Sequence, residues 1–490
     1  MKRREFSKNI FALGLGTQLG LTSISKAFQR NPKTSNEFYI EEAKKLPKRY
    51  FDVVVSGAGT AGVVAALAAA RNGAKTVLIE SKGYPGGTVV EGGTALHSFY
   101  NLWKAFPGVK KKMVVKGIPQ DIINRLLKVG ATTGYAEMET GFDYDSVCTA
   151  IDTELYKLTI FEMLNEAGVF VCVNTLLAGA VKNNNKLEGV IVESRSGREA
   201  FYAKAFVDCT AYGDLSYFAG ADYSIPNDYD VCNSFGLGNV NIEKVYTFLQ
   251  RNNALSQEAK GRRSGKDDMI VRIQAETVKL PKEFHEQASK LGLSMTTTTV
   301  YDNYFMFIKV NYKLPGIPTS RDDIAKAELE IRQRQYKSLQ LMKKFIPGCE
   351  NSYITRTSPS LNIRRGRLIT CDYDITHEDV IEAKHFNDEV YVYGFHDSAP
   401  RYQVKNGGTY GVPYRALCVK GIDNLYVSGM MITSDQRAHM STRNTVSCMA
   451  QGQATGTAAA LCSAKNIMSR ELKYEYLRSA LIKNNVYFET

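Results

Sequence analysis

The sequence predicts an α/β fold, in which a parallel sheet with flanking helices is joined to a β-meander and a second α+β region is inserted late in the chain. Residues 51–56 form an apolar run that ends at a glycine-rich turn, as in strands buried on both faces of a parallel sheet. Residues 176–181, 187–194 and 199–203 alternate as an antiparallel meander. Residues 236–404 are more charged and have no glycine turn of this kind, which indicates an inserted domain.

Composition places the chain among ordinary globular proteins. It has 490 residues, of which 44% are hydrophobic, enough for two substantial cores. The formal net charge is +12, yet the densest basic run, residues 110–112, is short and runs into apolar residues, so nucleic-acid binding is not expected. The nine cysteines form no C-x-x-C pair and no cluster with histidine. We therefore expect buried thiols and no metal site.

The first residues predict a targeting segment. Arg3 and Arg4, followed by Phe6 and Lys8, precede a moderately apolar stretch, and this pattern resembles a twin-arginine export signal. We assign residues 1–30 to this signal and residues 31–48 to a linker, with a disordered basic tail as the alternative. The signal implies a periplasmic protein, and without it the protein would be cytoplasmic. No segment has the length and hydropathy of an integral membrane span.

A phosphate-binding turn follows the first strand. Gly57, Gly59 and Gly62 have the G-x-G-x-x-G spacing between a strand and an alanine-rich helix, residues 63–72. These glycines permit the tight turn, the approach of the backbone to a pyrophosphate and the packing of helix on strand. Glu80 ends the next strand, where a carboxylate accepts hydrogen bonds from ribose hydroxyls. The pattern predicts a dinucleotide without a 2′-phosphate and leaves FAD and NAD open.

Later elements are assigned from the same patterns. Helices are predicted over residues 120–129, 144–167, 320–345 and 445–464, and further strands over residues 169–173, 205–210 and 304–310. This order divides the chain into a discontinuous first domain, an inserted domain and a tail. Their predicted ranges are 49–235 with 405–470, 236–404, and 471–490.

Several stretches together resemble one family. They are Asp208-Cys-Thr-Ala-Tyr-Gly-Asp-Leu215, Asn362-Ile-Arg-Arg-Gly-Arg367, residues 410–415, residues 424–429 and residues 438–456. On these motifs, residues 50–465 resemble the bacterial FAD-dependent oxidoreductases related to fumarate reductase flavoprotein subunits, which have a glutathione-reductase-like fold. The resemblance implies a Rossmann-like FAD-binding domain, an inserted α+β substrate domain and FAD as the cofactor.

The resemblance and the glycine turn together predict the cofactor site. The expected cofactor-binding residues are Gly57, Ala58, Gly59, Thr60, Ala61, Gly62, Glu80, Ser81, Gly86, Gly87, Thr88, Gly93, Thr94, Leu177, Thr210, Gly213, Asp214, Gly429, Asn444, Thr445 and Val446. Small residues of the last helix, among them Gly452 and Gly456, are expected to allow close approach to the flavin, with plain helix packing as a compatible alternative. Relatives with covalent flavin carry a histidine at the position of Gly87, so we expect non-covalent FAD.

Two departures from the family pattern concern the site. Ala211 and Tyr212 replace a glycine and its neighbour in the 208–215 loop, where the strand and Gly213-Asp214 remain. Arg365 stands where the family has a glutamate, which exchanges an acid for a base near the expected site. The second exchange leaves the substrate open.

Candidate catalytic residues lie where the inserted domain returns to the first domain. They are His396, Arg443, His439, Arg364 and Tyr410. Flavin-dependent oxidation requires a base near the carbon that loses hydride, and often a cation that holds a carboxylate. The remaining histidines, His97, His285, His377 and His385, are expected on the surface or in the second domain.

The leading hypothesis is an exported FAD-dependent oxidoreductase. It would transfer a hydride between flavin N5 and a small polar or anionic substrate, such as a sugar derivative or a hydroxy acid. Two alternatives are kept: a flavin-dependent reductase of an activated C=C bond, and a non-catalytic flavin-fold binding protein of the envelope. The electron acceptor is left open among oxygen, a quinone and a redox protein.

Overall fold

The computed structural model describes residues 38–140 and 146–489. The predicted signal, residues 1–30, and the first part of the linker lie outside the described residues. The chain divides into two units, Met1–Lys45 and Leu46–Thr490. In the first unit, residues 38–45 are exposed and have no regular secondary structure. All the elements below belong to the second unit.

The strands and helices are numbered in chain order. The strands are β1 (Lys48–Tyr50), β2 (Val53–Ser56), β3 (Thr76–Ile79), β4 (Leu96–His97), β5 (Ala136–Thr140), β6 (Val147–Thr149), β7 (Phe170–Cys172), β8 (Leu176–Asn183), β9 (Lys186–Ser194), β10 (Gly197–Tyr202), β11 (Ala205–Asp208), β12 (Tyr223–Ser224), β13 (Val231–Gly238), β14 (Leu255–Arg263), β15 (Lys266–Ala275), β16 (Leu293–Ser294), β17 (Thr296–Thr298), β18 (Tyr304–Tyr312), β19 (Tyr353–Thr357), β20 (Leu368–Ile369), β21 (Glu389–Tyr393), β22 (Tyr410–Pro413) and β23 (Leu425–Val427). The α-helices are α1 (Thr60–Arg71), α2 (Thr88–Gly92), α3 (Ile118–Lys128), α4 (Thr153–Glu166), α5 (Asp214–Phe218), α6 (Ile242–Arg251), α7 (Lys282–Leu291), α8 (Arg321–Phe345), α9 (His377–Ile381), α10 (Gln436–Thr442), α11 (Thr445–Lys465) and α12 (Tyr474–Lys483).

A parallel sheet carries the predicted glycine turn. Its strands run in the order β23-β11-β2-β3-β7, and every pair is parallel. All four residues of β2 are buried, as expected for an apolar strand covered on both faces. The α/β fold class predicted from the sequence is confirmed.

Helices α1 and α11 pack face to face over this sheet. A Cβ on Gly452 would lie 2.2 Å from the carbonyl oxygen of Ala61, and one on Gly456 would lie 2.1 Å from that of Ala65. The two glycines therefore let the helix backbones touch. Helix packing was the alternative interpretation of these glycines, and their approach to the flavin stays a prediction.

The predicted meander forms a second sheet. Strands β8, β9 and β10 pair antiparallel in sequence, and β1 adds to β10 in parallel. The loop between β10 and β11 then returns the chain to the parallel sheet. The meander thus lies between β7 and β11, two strands of the parallel sheet that follow each other along the chain but are not adjacent in the sheet.

A large antiparallel sheet joins the inserted region to an earlier part of the chain. Its order is β19-β13-β18-β17-β15-β14-β5-β6-β4, so strands from before residue 150 extend it. The helix predicted over 144–167 is therefore wrong in its first part, because residues 147–149 form β6. Helix α4 begins only after Asp152, whose side chain accepts hydrogen bonds from the N–H groups of Glu154 and Leu155.

The apolar core has two main parts. One contains residues from 53–221 and 369–488, and the other contains residues from 231–363. The proposed division into a discontinuous and an inserted domain stays a prediction. Within residues 38–140 and 146–489, no helix combines the length and apolar character needed to cross a membrane.

Candidate active site

The turn between β2 and α1 is so tight that two of its glycines have no room for a side chain. Gly57 has φ +90°, and a Cβ there would lie 2.4 Å from the carbonyl oxygen of Cys209. A Cβ on Gly62 would lie 1.8 Å from the carbonyl oxygen of Gly57, so α1 needs glycine at this position to pack. Gly59 differs, because a Cβ there would meet no protein atom within 4 Å. Gly59 therefore leaves open space that folding does not require.

The carboxylate of Glu80 is fixed beside this turn. Its Oε2 accepts a hydrogen bond from the Ala58 N–H at 2.8 Å, and its Oε1 accepts one from the Lys82 N–H at 2.8 Å. The Ser81 hydroxyl donates to the same Oε1 at 3.1 Å. The acid thus lies at the end of β3 with its remaining lone pairs available to a ligand, where a ribose-binding acid is expected.

A cavity of about 650 Å³ lies against the glycine turn and Glu80. We call it the long cavity. It is bounded on the other side by the inserted region, including Pro318, Thr319 and Ile324. The predicted cofactor-binding residues that line it are Gly57, Gly59, Glu80, Ser81, Gly87, Thr88, Leu177, Thr210 and Asp214.

The loop after β11 is held by one buried carboxylate. Asp208 Oδ1 accepts hydrogen bonds from the Thr210 N–H at 3.0 Å and from its hydroxyl at 2.7 Å. Asp208 Oδ2 accepts from the Ser216 N–H at 2.8 Å and from its hydroxyl at 2.7 Å. Burial raises the pKa of Asp208, and these hydrogen bonds act against that shift. They fix the loop that forms one wall of the long cavity.

Ala211 occupies a glycine-like conformation in this loop. Its φ is +68°, and it lines the long cavity together with Tyr212. The family glycine at this position would adopt that conformation without strain, whereas alanine does so at a cost of about 1 kcal/mol. The departure seen in the sequence therefore keeps the backbone path of the loop.

A second cavity, of about 260 Å³, continues from the first. We call it the cationic cavity. Both cavities are lined by Gly59, Gly87, Thr88, Ala211 and Phe307, so they form one groove. The predicted site residues that line the cationic cavity are Gly59, Thr60, Ala61, Gly87, Thr88, Thr94, Arg364, Gly429, Arg443, Asn444 and Thr445.

Positive charge dominates the cationic cavity. Among the described residues that line it, Arg272, Lys309, Arg364 and Arg443 carry positive charge and Asp397 carries negative charge. Arg443 forms an ion pair with Asp397, which offsets one of the cations. An anionic molecule that enters this space would therefore be attracted on electrostatic grounds.

Arg364 is positioned through its backbone and its side chain. The Nε2–H of His439 donates to the carbonyl oxygen of Arg364 at 2.9 Å, and Arg364 Nη2 lies 3.3 Å from Cys232 Sγ. Burial lowers the pKa of His439 well below its ordinary value, so its ring is neutral. His439 thus supports the cavity wall without reaching the cavity.

Sequence reasoning missed several lining residues, among them two cations and a histidine. Arg272 and Lys309 reach the cavity from β15 and β18, and His97 reaches it from β4, although it was expected outside the site. Arg272 Nη1 donates to His97 Nε2 at 3.2 Å, and its Nη2 donates to Gln257 Oε1 at 2.7 Å. The sequence feature that could have indicated Arg272 and Lys309 is a single basic residue inside an otherwise apolar strand, as in residues 269–273 and 304–310.

Other predicted residues lie behind the cavity walls. The candidates that line neither cavity are His396, His439, Tyr410, Ala58, Gly62, Gly86, Gly93, Gly213 and Val446. The hydroxyl of Tyr410 lies 2.7 Å from Ser441 Oγ in the core, and burial raises the tyrosine pKa well above its ordinary value. His396 is fully buried, its Nδ1 accepts from the Ser398 N–H at 3.1 Å, and burial lowers its pKa to about 4.

Arg365 points away from both cavities. Its Nη2 donates to the carbonyl oxygen of Ser434 at 3.0 Å, and its Nε lies 3.4 Å from Asp228 Oδ1. It is absent from the described residues that line the groove, whereas its neighbour Arg364 lines the cationic cavity. The exchange of a family glutamate for Arg365 therefore adds no base to the cavity.

Helix α11 begins at the cationic cavity. Its N-cap residue Asn444 and its first residue Thr445 both line that space. The Tyr393 hydroxyl donates to Asn444 Oδ1 at 2.7 Å and fixes the cap. Because the N-terminus of a helix carries partial positive charge, this end of α11 adds to the positive potential of the cavity.

The sequence matches the family model described as FAD dependent oxidoreductase over residues 52–481. The chain therefore belongs to the FAD-dependent oxidoreductase family, and the protein is an enzyme with FAD as its cofactor. This membership argues against the non-catalytic binding protein. No curated protein sequence matches the chain.

Solved structures give similarities at low sequence identity. A geranylgeranyl bacteriochlorophyll reductase-like protein from Thermoplasma acidophilum is 11% identical with a TM-score of 0.49, covering 89% of this chain and 83% of that chain. The p-nitrophenol 4-monooxygenase of Pseudomonas putida is 9% identical with a TM-score of 0.47, covering 90% and 89%. A flavoprotein/dehydrogenase from Cytophaga hutchinsonii is 11% identical with a TM-score of 0.48, covering 88% and 81%. These similarities do not bear on the substrate.

The residues of the groove fit FAD. The space beside Gly59 is free of protein atoms where a pyrophosphate needs close approach to the backbone. Glu80 offers acceptor lone pairs at one end, and the positive end of α11 lies at the other. These are the features that FAD requires, an acceptor for its ribose hydroxyls and positive potential for the flavin ring, which gains charge on reduction.

Proposed function

We propose that this enzyme oxidises a small anionic molecule, such as a hydroxy acid or an acidic sugar derivative, in the cationic cavity. The observation that carries the proposal is the set of four cationic side chains and one carboxylate around about 260 Å³ of space. That volume suits a small molecule, and the positive charge suits a carboxylate. The cationic cavity shares lining residues with the long cavity, so a substrate held there would lie beside bound FAD.

The residues that would bind FAD are inferred from their positions along the groove. Gly57, Gly59 and Thr88 would hold the pyrophosphate of FAD, and Glu80 would hold the ribose. When bound, FAD exchanges a hydride with the substrate carbon. We propose both that these residues bind FAD and that FAD is attached non-covalently.

Arg364 and Arg443 would bind the substrate carboxylate. The Arg364 guanidinium contacts Cys232, and that of Arg443 contacts Asp397 and the Tyr229 ring. Both side chains line the cavity, and a guanidinium has several N–H donors, so each could also contact a ligand. Binding of the carboxylate by these cations would orient the neighbouring substrate carbon toward bound FAD. His396, His439 and Tyr410 lie behind this wall and would act as positioning residues.

Anaerobic reduction of bound FAD tests the proposal. The purified yellow protein is mixed without oxygen with hydroxy acids, sugar acids and the matching neutral alcohols and sugars. We expect the acids to bleach the flavin absorbance and their neutral counterparts to do so far more slowly, because only the acids interact with the cations. Equal bleaching by acid and neutral partners would contradict the anionic substrate. Reoxidation of the chemically reduced enzyme by an unsaturated acid, with no bleaching by any hydroxy acid, would favour the reductase instead.

We further infer export in the folded state, with FAD already bound. The support is the sequence of residues 1–30, with its paired arginines at positions 3 and 4. Replacing Arg3 and Arg4 together by lysine should keep the yellow protein in the cytoplasmic fraction. An unchanged distribution between fractions would contradict the inference.

A further inference from the structure

A lysine side chain in the cationic cavity has a setting unlike that of the arginines beside it. Lys309 lines the cavity from β18, a strand of the inserted region. Arg272, Arg364 and Arg443 each contact a protein partner. Among the residues that the structure describes, the Lys309 amine makes no hydrogen bond and no ion pair, and it lies 5.7 Å from the centre of the Phe307 ring. Its amine is therefore available to a ligand.

A β-bulge in β18 directs two of its side chains into the groove. The register between β13 and β18 shifts between Phe235 and Leu237, and Phe307 has φ +65°. A bulge of this kind redirects side chains and is common next to active sites. Phe307 and Lys309 both line the cationic cavity. Met306, which precedes Phe307, and Ile308, which lies between the two, are buried in the core. The strand thus presents an aromatic ring and an amine to the same space.

The charges that face Lys309 come from several elements. Arg364 and Arg443 disfavour its charged form, whereas Cys232 and Asp397 favour it, and Arg272 and His97 line the same cavity from β15 and β4. Burial is the largest influence, and together with the arginines it lowers the pKa of Lys309 to about 8. An amine in this state is present in both protonation forms near neutral pH, as proton transfer requires.

We propose that Lys309 is the catalytic residue that accepts the proton of the substrate hydroxyl. This rests on the proposed function, the oxidation of an anionic alcohol. The lone pair of Lys309 Nζ forms a bond to the hydroxyl proton, the O–H bond breaks, and the amine becomes an ammonium group. The C–H bond breaks as well, its hydride with both electrons passes to FAD as the oxidant, and the carbon–oxygen bond becomes a carbonyl. Phe307 and the arginines would hold the substrate while this occurs.

The protonation state of Lys309 can be measured without turnover. The holoenzyme is treated briefly with acetic anhydride between pH 6 and pH 11, and labelling of each lysine is quantified by peptide mass spectrometry. A free lysine analogue is added as an internal standard. We expect half-maximal labelling of Lys309 near pH 8, clearly below the midpoint of the free analogue. A midpoint like that of the free analogue, or no labelling of Lys309 at any pH, would overturn the proposal.

Variants then separate a proton-transfer role from a charge role. Lys309→Met and Lys309→Arg should each slow anaerobic FAD reduction about 100-fold or more, because neither side chain accepts a proton at neutral pH. Lys309→Ala should regain rate when ethylamine is added. The matched control is Lys260→Met in β14 of the same sheet, where Lys260 pairs with Glu139 at 3.5 Å outside the cavity, and it should leave the rate unchanged.

The outcomes also distinguish this proposal from the proposed function. Full activity of Lys309→Arg, or absence of rescue by ethylamine, would overturn the role of Lys309 while the oxidation of an anionic alcohol stands. Failure of every hydroxy acid and sugar acid to bleach the wild-type enzyme would instead overturn the proposed function and, with it, the role of Lys309.

Discussion

Replacing Gly59 with alanine should weaken FAD binding without weakening the fold. Gly59 has φ −70° and ψ −168°, which alanine adopts readily, and its added Cβ would meet no protein atom within 4 Å. The substitution also restricts the unfolded chain, which stabilises the folded apoprotein by about 0.4–1 kcal/mol. In the FAD complex, the methyl group would occupy the space where the pyrophosphate approaches the backbone.

The expected loss of affinity follows from overpacking. An extra methyl group in a closely packed site costs about 1–3 kcal/mol, which is roughly a 5- to 150-fold increase in Kd. The assay is a titration of apoprotein with FAD, followed by quenching of flavin fluorescence. Thermal unfolding of the apoprotein, followed by circular dichroism, is measured in parallel.

Gly62→Ala is the matched control. Its Cβ would lie 1.8 Å from the carbonyl oxygen of Gly57, so this variant should destabilise the apoprotein itself by about 2 kcal/mol or more. Wild-type FAD affinity in Gly59→Ala, or a loss of apoprotein stability equal to that of Gly62→Ala, would refute the reasoning that Gly59 is reserved for the ligand.

Three further predictions concern packing, charge and pH. Gly456→Ala places a Cβ 2.1 Å from the Ala65 carbonyl oxygen and should lower the free energy of unfolding by about 1–3 kcal/mol in urea titrations, and an unchanged midpoint would contradict the packing of α1 on α11. Arg364→Met should raise the concentration of hydroxy acid needed for half-maximal flavin bleaching about tenfold while FAD affinity stays constant; equal effects on neutral alcohols would refute the charge argument. Burial lowers the pKa of His396 from 6.5 to about 4 in the folded state, so the unfolded chain binds the proton first and stability falls as pH decreases from about 6.5 to about 4, by about 3 kcal/mol in total. His396→Gln should flatten this pH dependence in urea titrations at pH 7 and pH 4.5, and an unchanged slope would contradict it.

Local patterns predicted the parts of the fold that depend on neighbouring residues. The apolar strand before Gly57, the meander and the acid at Glu80 follow from short-range periodicity and turn chemistry. The helix predicted over 144–167 was wrong at its start because apolar residues in 147–149 fit either element, and pairing of β6 with β4 and β5 decides for a strand. The cap at Asp152 was a local signal that marked the true start of α4.

The cationic cavity depends on contacts that sequence patterns do not report. Arg272 and Lys309 reach it because β15 and β18 belong to a sheet that brings distant parts of the chain together, and the bulge at Phe307 sets the face. His396 and Asp397 are adjacent in the sequence, yet only one of them reaches the cavity, so proximity in sequence was misleading here. Asp397 lines the cavity and His396 is buried, and no periodicity in residues 393–397 distinguishes the two.

The packing of α11 on α1 has a consequence for biosynthesis. The groove is completed by Asn444 and Thr445, which lie far along the chain from the glycine turn. A nascent chain on the ribosome can form β2 and the turn early, yet it lacks the opposite wall until residues 444 and 445 have been made. A chain cut short before residue 445 would therefore lack part of the groove and would expose the alanine-rich face of α1 to chaperones and proteases.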